Sequence, residues 1–185
     1  MKKDTHLRLS VALVFLSFCV STFGQKKTIF WSPVKNANVD KRIETKPLKE
    51  TFFRLDIEAL KQTLKFAPER KSSKGKSNVI IDFPNALGEM DSFKIFKASV
   101  LHQDLQERYP ELGSFIGQNL KTPSEIIRFS ISPFGLKSVT LGSSYGTQYI
   151  DLVSKIENVY SSFFRRDLPS EVYEFECGFI DEDFI

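Results

Sequence analysis

Residues 142–146 match the G-x-S-x-G pattern, in which a serine can act as a nucleophile. In α/β-hydrolases that serine stands on a turn between a strand and a helix, and its histidine follows later in the chain. Here the residues after Gly146 continue as another strand would, and His102 precedes Ser144. We therefore interpret the segment as a glycine-rich β-turn and expect no hydrolase chemistry at Ser144.

A metal site is the next chemistry to consider, because His102 is close to Asp104 and Glu107 in the sequence. A catalytic zinc usually has three protein ligands, two of them commonly histidines, and the chain contains no H-E-x-x-H segment. We interpret His102 as an ordinary surface histidine. With no phosphate-binding loop and no Cys-His-Asn arrangement either, the sequence predicts a chain that is not an enzyme and has no cofactor of its own.

Cys177 stands in an acidic tail, residues 167–185, which has seven acidic residues and no basic one. A thiolate is a strong zinc ligand, so Cys177 could act as a latch that occupies the open coordination position of a partner's zinc. Two other roles stay open, a disulfide to a further domain and a free thiol.

The N-terminus has the pattern of an export signal. Lys2, Lys3 and Arg8 precede the mainly apolar residues 9–20, and the small residues Thr22 and Gly24 predict cleavage between Gly24 and Gln25. The run is shorter than the roughly 20 residues that span a bilayer, so we expect no retained membrane anchor. Residues 1–24 are the predicted signal peptide, and the mature chain is expected in the periplasm or outside the cell.

Charge is distributed unevenly after the predicted cleavage site. Residues 25–76 contain 14 Lys and Arg against 6 Asp and Glu, whereas residues 77–185 contain 9 against 16. The two halves should attract each other. The lysine-rich residues 71–76 lack interleaved aromatic residues, and export separates the chain from nucleic acid, so we expect no nucleic-acid partner.

The spacing of apolar residues predicts an amphipathic helix over residues 51–68. Ile57, Leu60, Leu64 and Ala67 recur at intervals of three and four, and Asp56 is a plausible N-cap. The polar, lysine-rich composition on either side predicts a flexible basic segment over residues 25–50 and a basic loop over residues 69–77.

Short β-like runs dominate residues 78–168. Apolar and polar residues alternate strictly over residues 127–132, and Pro133 and Gly135 then suit a type I turn. A short helix is predicted over residues 101–109, and strands over residues 79–83, 93–97, 114–117, 127–132, 136–141, 148–152 and 159–164. The predicted fold class is α+β: an antiparallel β-meander sheet domain with one N-terminal amphipathic helix and a short internal helix, followed by an acidic tail over residues 169–185.

Five segments in order resemble the N-terminal propeptide region of secreted reprolysin-like zinc metalloproteases of Bacteroidetes-type bacteria. They are residues 55–68, 109–118, 128–136, 149–151 and 164–168, and the resemblance covers about residues 25–177. It implies a propeptide that assists folding of a zinc metalloprotease and inhibits it, here as a truncated or split precursor or a stand-alone prodomain.

The implied partner is the cognate zinc metalloprotease catalytic domain, in cis or in trans, and zinc would enter only through that domain. The alternative is a secreted binding or adhesion module without catalytic activity, which would use exposed aromatic residues such as Tyr145 and Tyr160.

Overall fold

A computed structural model describes residues 28–35, 37, 46–99 and 102–169. Over these residues the chain forms nine strands in one antiparallel sheet that nearly closes into a barrel. The strands are β1 (Trp31–Val34), β2 (Thr51–Leu55), β3 (Ile80–Pro84), β4 (Met90–Lys97), β5 (Gly113–Asn119), β6 (Ile126–Ser132), β7 (Gly135–Leu141), β8 (Gln148–Ser154) and β9 (Val159–Phe164). Two α-helices, α1 (Ile57–Leu64) and α2 (Gln103–Arg108), and a 3₁₀ helix (Arg165–Asp167) complete it. The predicted cleavage site at Gly24 and Gln25, and Cys177, lie outside the described residues.

The strand order is β1-β2-β9-β8-β7-β6-β5-β4-β3. Strands β3 to β9 form the predicted meander, and the two N-terminal strands extend the sheet beyond β9. Thr51 pairs with Ser162 and Arg54 with Val159, which joins β2 to the last strand. The two edge strands, β1 and β3, then meet through side chains. Trp31 of β1 contacts Phe83 of β3 with ring centroids 6.0 Å apart.

The predicted α+β class is wrong, because the described chain is a mainly antiparallel β structure with only 12% helix. Residues 51–55, expected as the first turns of the helix, form β2, and the segment expected to be flexible contains β1. Phe53 and Leu55 are buried while Arg54 is exposed, and this alternation has the two-residue period of a strand. Their partners in β9 lie over a hundred residues away, so local spacing could not reveal the pairing.

The helix itself begins where β2 ends, at the predicted N-cap. The Asp56 Oδ1 atom accepts a hydrogen bond from the Ala59 N–H at 3.0 Å, which satisfies one of the free donors of the first turn. Leu60 and Leu64 are buried and belong to the same core as the barrel interior. A helix outside the strands can reach that interior only at an open end, so α1 covers one end of the barrel.

The interior is built from alternate residues of each strand, as the pleat requires. Phe93 and Ile95 of β4, Ile127 and Phe129 of β6 and Leu136 of β7 are buried there. Gly117 of β5 lies between Ile95 and Ile127, and a Cβ at Gly117 would stand only 2.7 Å from each of these side chains. The glycine leaves the space that two large neighbours fill.

The predicted strands of residues 79–164 are confirmed, with ends shifted by a few residues. The helix predicted over residues 101–109 is the short α2. The β6–β7 hairpin is confirmed at its turn, where Ser132 pairs with Gly135 and the Ser132 Oγ atom accepts a hydrogen bond from the Phe134 N–H at 3.1 Å.

Candidate binding groove

An open groove of about 690 Å³ lies at the end of the barrel that α1 covers. We call it the α1 groove. Its walls come from α1, the end of β4, the loop between α2 and β5, and the β6–β7 hairpin. The floor is apolar, formed by Leu64, Leu112, Phe115 and Ile131, and three lysines line it as well, Lys61, Lys65 and Lys97. The acidic lining residues are Glu69 and Glu111.

The floor is held by the sheet register and by α2. Phe115 pairs with Phe129 across β5 and β6, and the two rings stack with centroids 5.0 Å apart and planes 16° from parallel. Gln106 of α2 donates from Nε2 to the Leu112 carbonyl at 2.8 Å, which fixes the turn before β5. These contacts give the groove a preformed apolar base.

Two of the lysines belong to α1 or follow it directly and have local partners. Lys61 Nζ lies 2.8 Å from Glu58 Oε1, and Lys65 Nζ donates to Gln62 Oε1 at 2.8 Å. An ammonium group has three donors, so both can still bind an anion.

Lys97 differs from them because it lies on the interior phase of β4. It follows Phe93 and Ile95 at intervals of two and pairs with Phe115. Its side chain is half-buried, and its ammonium group makes no hydrogen bond or ion pair with any residue that the structure describes. Its three N–H donors are therefore available to an anion in the groove.

The other end of the barrel is polar and is covered by the turn between β3 and β4. The Ala86 N–H donates to Gln148 Oε1 at 2.8 Å, and Asn85 Nδ2 donates to Asp91 Oδ2 at 3.0 Å. Burial is the main cause that raises the pKa of the Asp91 carboxyl, the Asn85 hydrogen bond lowers it, and the charges of Glu125 and Glu89 add to the rise. The nearby charge of Lys121 lowers this pKa in turn, and the three carboxyls make the local charge mainly negative.

The G-x-S-x-G segment is a turn between β7 and β8, as the sequence predicts. The Gly146 N–H donates to the Ser143 carbonyl at 3.1 Å, and Gly142 and Gly146 have φ values of +80° and +102°. No helix follows Ser144, because β8 begins at Gln148. A nucleophile elbow is therefore not formed.

The described residues contain no group of three or more His, Cys, Asp or Glu that could bind a metal. His102 Nδ1 lies 3.5 Å from Asp104 Oδ2, and both side chains are largely exposed. The proposed zinc role of Cys177 stays a prediction.

One of the two tyrosines expected to be exposed is in fact buried. Tyr145 is 57% exposed, but Tyr160 is 1% exposed, so its predicted role as a surface aromatic residue is wrong. Tyr160 lies on the interior phase of β9, contacts Trp31 with ring centroids 5.5 Å apart, and accepts a hydrogen bond from the Leu136 N–H. Burial raises the pKa of its hydroxyl, which the Leu136 hydrogen bond partly offsets.

Searches against protein-family models, curated proteins and solved structures find no match to this chain. Among the described residues, no helix has the length and apolar character needed to cross a membrane.

Proposed function

We propose that this chain is a non-catalytic, prodomain-like binding protein whose α1 groove receives an extended segment of a partner protein. The observation that carries the proposal is Lys97, which is half-buried beside an apolar floor and whose ammonium group has no partner among the described residues. The groove offers burial to apolar side chains and counter-charges to carboxylates. A polypeptide segment that combines both side-chain types fits it best.

The proposed partner class follows from the resemblance to metalloprotease propeptides. Three of the five segments that carry the resemblance, residues 55–68, 109–118 and 128–136, each contribute lining residues to the α1 groove. Because they are far apart in sequence and meet at one surface, that surface is the best candidate for a shared role. We therefore propose a secreted zinc metalloprotease catalytic domain as the partner, in cis or in trans, which this chain would inhibit by covering its cleft.

The test is inhibition of a reprolysin-like catalytic domain encoded next to this chain, measured with a fluorogenic peptide substrate. Lys97→Glu should weaken inhibition by about tenfold or more, since it replaces attraction by repulsion at a partly buried site. Lys94→Glu is the matched control, because Lys94 is also half-buried on β4 but lies on the opposite phase of the strand. Absence of inhibition by the wild-type chain, or equal inhibition by both variants, would refute the proposal.

The latch is tested in the same assay with Cys177→Ser. A hydroxyl is a far poorer zinc ligand than a thiolate, so inhibition should weaken while the circular dichroism spectrum stays unchanged. Equal inhibition constants would remove the zinc role of Cys177 and leave occlusion by the groove surface.

The second candidate, a binding or adhesion module, is favoured by a small pocket of about 400 Å³ at Tyr145. There the Arg166 guanidinium lies 4.2 Å from the centroid of the Phe164 ring and donates to the Tyr145 carbonyl at 2.7 Å. An exposed tyrosine beside a fixed arginine suits a sugar or peptide surface. Binding to cell-surface polysaccharide that is lost in Tyr145→Ala, but kept in Lys97→Glu, would select this candidate.

A further inference from the structure

The α1 groove is complementary to a segment of the same chain. Residues 170–185 contain six carboxylates and no basic residue, and acidic and apolar side chains interleave over residues 171–177. The groove combines an apolar floor with three lysines and two glutamates, Glu69 and Glu111, so its lining is basic by one charge. The lysines of the groove can therefore pair with the carboxylates of the segment, and the apolar floor can bury its apolar side chains.

The segment is long enough to reach the groove from its point of departure. The groove lies beside the end of β4, whereas β9 ends at Phe164, which is opposite Gln148 at the other end of the barrel. A strand of six residues such as β9 rises about 20 Å. Residues 170–185 span up to about 50 Å when extended, so about half of them remain after one barrel length is crossed.

We propose that residues 170–185 occupy the α1 groove of their own chain, with carboxylates at Lys61, Lys65 and Lys97 and aromatic side chains on the floor. The inference rests on the proposed function, that the groove accepts an acidic and apolar segment. A partner segment must then displace the tail, which lowers its apparent affinity by the fraction of chains in which the groove is free. Displacement would also release Cys177 at the moment the partner binds.

The test uses the full chain with Cys19→Ser, so that Cys177 is the only thiol. A benzophenone maleimide is attached to Cys177, the sample is irradiated, and crosslinked peptides are identified by mass spectrometry. We expect crosslinks to peptides that contain Leu112, Phe115 or Ile131, with a yield that does not depend on protein concentration. Raising the salt to 1 M should lower the yield, because the Debye length falls to about 3 Å.

The matched variants carry the same charge change at two places. Lys61→Glu with Lys65→Glu alters the groove and should lower the yield by about fivefold or more, whereas Lys71→Glu with Lys74→Glu alters the turns of residues 69–77 and should leave it unchanged. Scattered crosslinks, or equal yields from both double variants, would overturn the inference. Crosslinks between molecules that increase with concentration would replace it by docking of a second copy.

Failure of this inference and failure of the proposed function give different results. If Lys97→Glu weakens protease inhibition but no groove crosslinks form, the groove binds a partner and the tail does not occupy it. If groove crosslinks form and the wild-type chain inhibits no protease, the tail inference stands and the proposed partner class is wrong.

Discussion

Position 135, in the hairpin beside the α1 groove, requires glycine for two separate reasons. Its φ is +106°, and a Cβ there would lie 3.0 Å from Leu152 Cδ2 and 3.2 Å from the Tyr160 hydroxyl. Gly146 has a similar φ of +102°, but no atom of the described residues lies within 4 Å of a Cβ there, which makes it a matched control. We expect Gly146→Ala to lower the free energy of unfolding by about 1 kcal/mol through backbone strain alone, and Gly135→Ala by about 2–4 kcal/mol. Urea unfolding measures both losses. Equal losses would show that the side chains around Gly135 move enough to accommodate the added Cβ.

Asp91 should make stability depend on pH at the polar end of the barrel. Because its pKa is raised in the folded chain above the ordinary value of 3.8, the folded state binds this proton more tightly than the unfolded state does. The contribution of Asp91 to stability therefore increases as pH falls through the raised pKa towards 3.8, and the ionised form is unfavourable at neutral pH. Asp91→Asn keeps an oxygen acceptor for Asn85 and removes the charge.

The variant should therefore be more stable than the wild type at pH 7, and the difference should vanish in acid. Urea unfolding at pH values from about 3 to 8 gives the comparison. A difference that stays constant over this range would contradict the electrostatic explanation.

At the scale of elements, α1 positions two groove lysines, and its N-cap should determine how firmly it does so. Asp56→Ala removes the acceptor for the Ala59 N–H, so we expect a loss of about 1 kcal/mol in the free energy of unfolding. Asp56→Ser retains a capping oxygen and should lose much less. If both variants lose the same amount, the cap does not stabilise α1.

The sequence predicts those elements whose patterns are local. The alternation of residues 127–132 and the turn residues Pro133 and Gly135 predict the β6–β7 hairpin, because pleat and turn chemistry act over a few residues. The N-cap at Asp56 is predicted for the same reason. The strand β2 is missed because Phe52 and Phe53 fit a helical face as well as a strand, and only pairing with β9 decides between them.

The α1 groove is not predicted, because its lining comes from segments that only the closed sheet brings together. One local signal was available. Lys97 follows Phe93 and Ile95 on the same face of β4, so a charged residue takes a position where the pattern requires an apolar one. Such a break in an alternating strand identifies a place where the interior opens to a ligand or to solvent.

At the scale of the whole molecule, the barrel is held closed by side chains where backbone pairing ends. The edge strands β1 and β3 are not neighbours in the hydrogen-bonded order, yet Trp31 contacts both Phe83 and Tyr160. Pro33 in β1 and Pro84 in β3 each lack an N–H donor, which limits pairing along this seam. Closure therefore depends on packing of aromatic rings.

Trp31→Ala should accordingly open the barrel at the seam between β1 and β3. We expect a loss of about 3–5 kcal/mol in the free energy of unfolding, since a nearly fully buried aromatic side chain is removed from the core. Trp31→Phe keeps a ring and removes the buried indole N–H, which has no hydrogen-bond partner among the described residues, so it should lose less. Phe134→Ala is the control, because Phe134 is 80% exposed at a hairpin tip and should change stability by less than about 0.5 kcal/mol.

Urea unfolding gives the losses, and hydrogen exchange should show faster exchange in β1 than in β6 for Trp31→Ala. Uniform acceleration in all strands would mean that the ring stabilises the core as a whole and does not hold the seam.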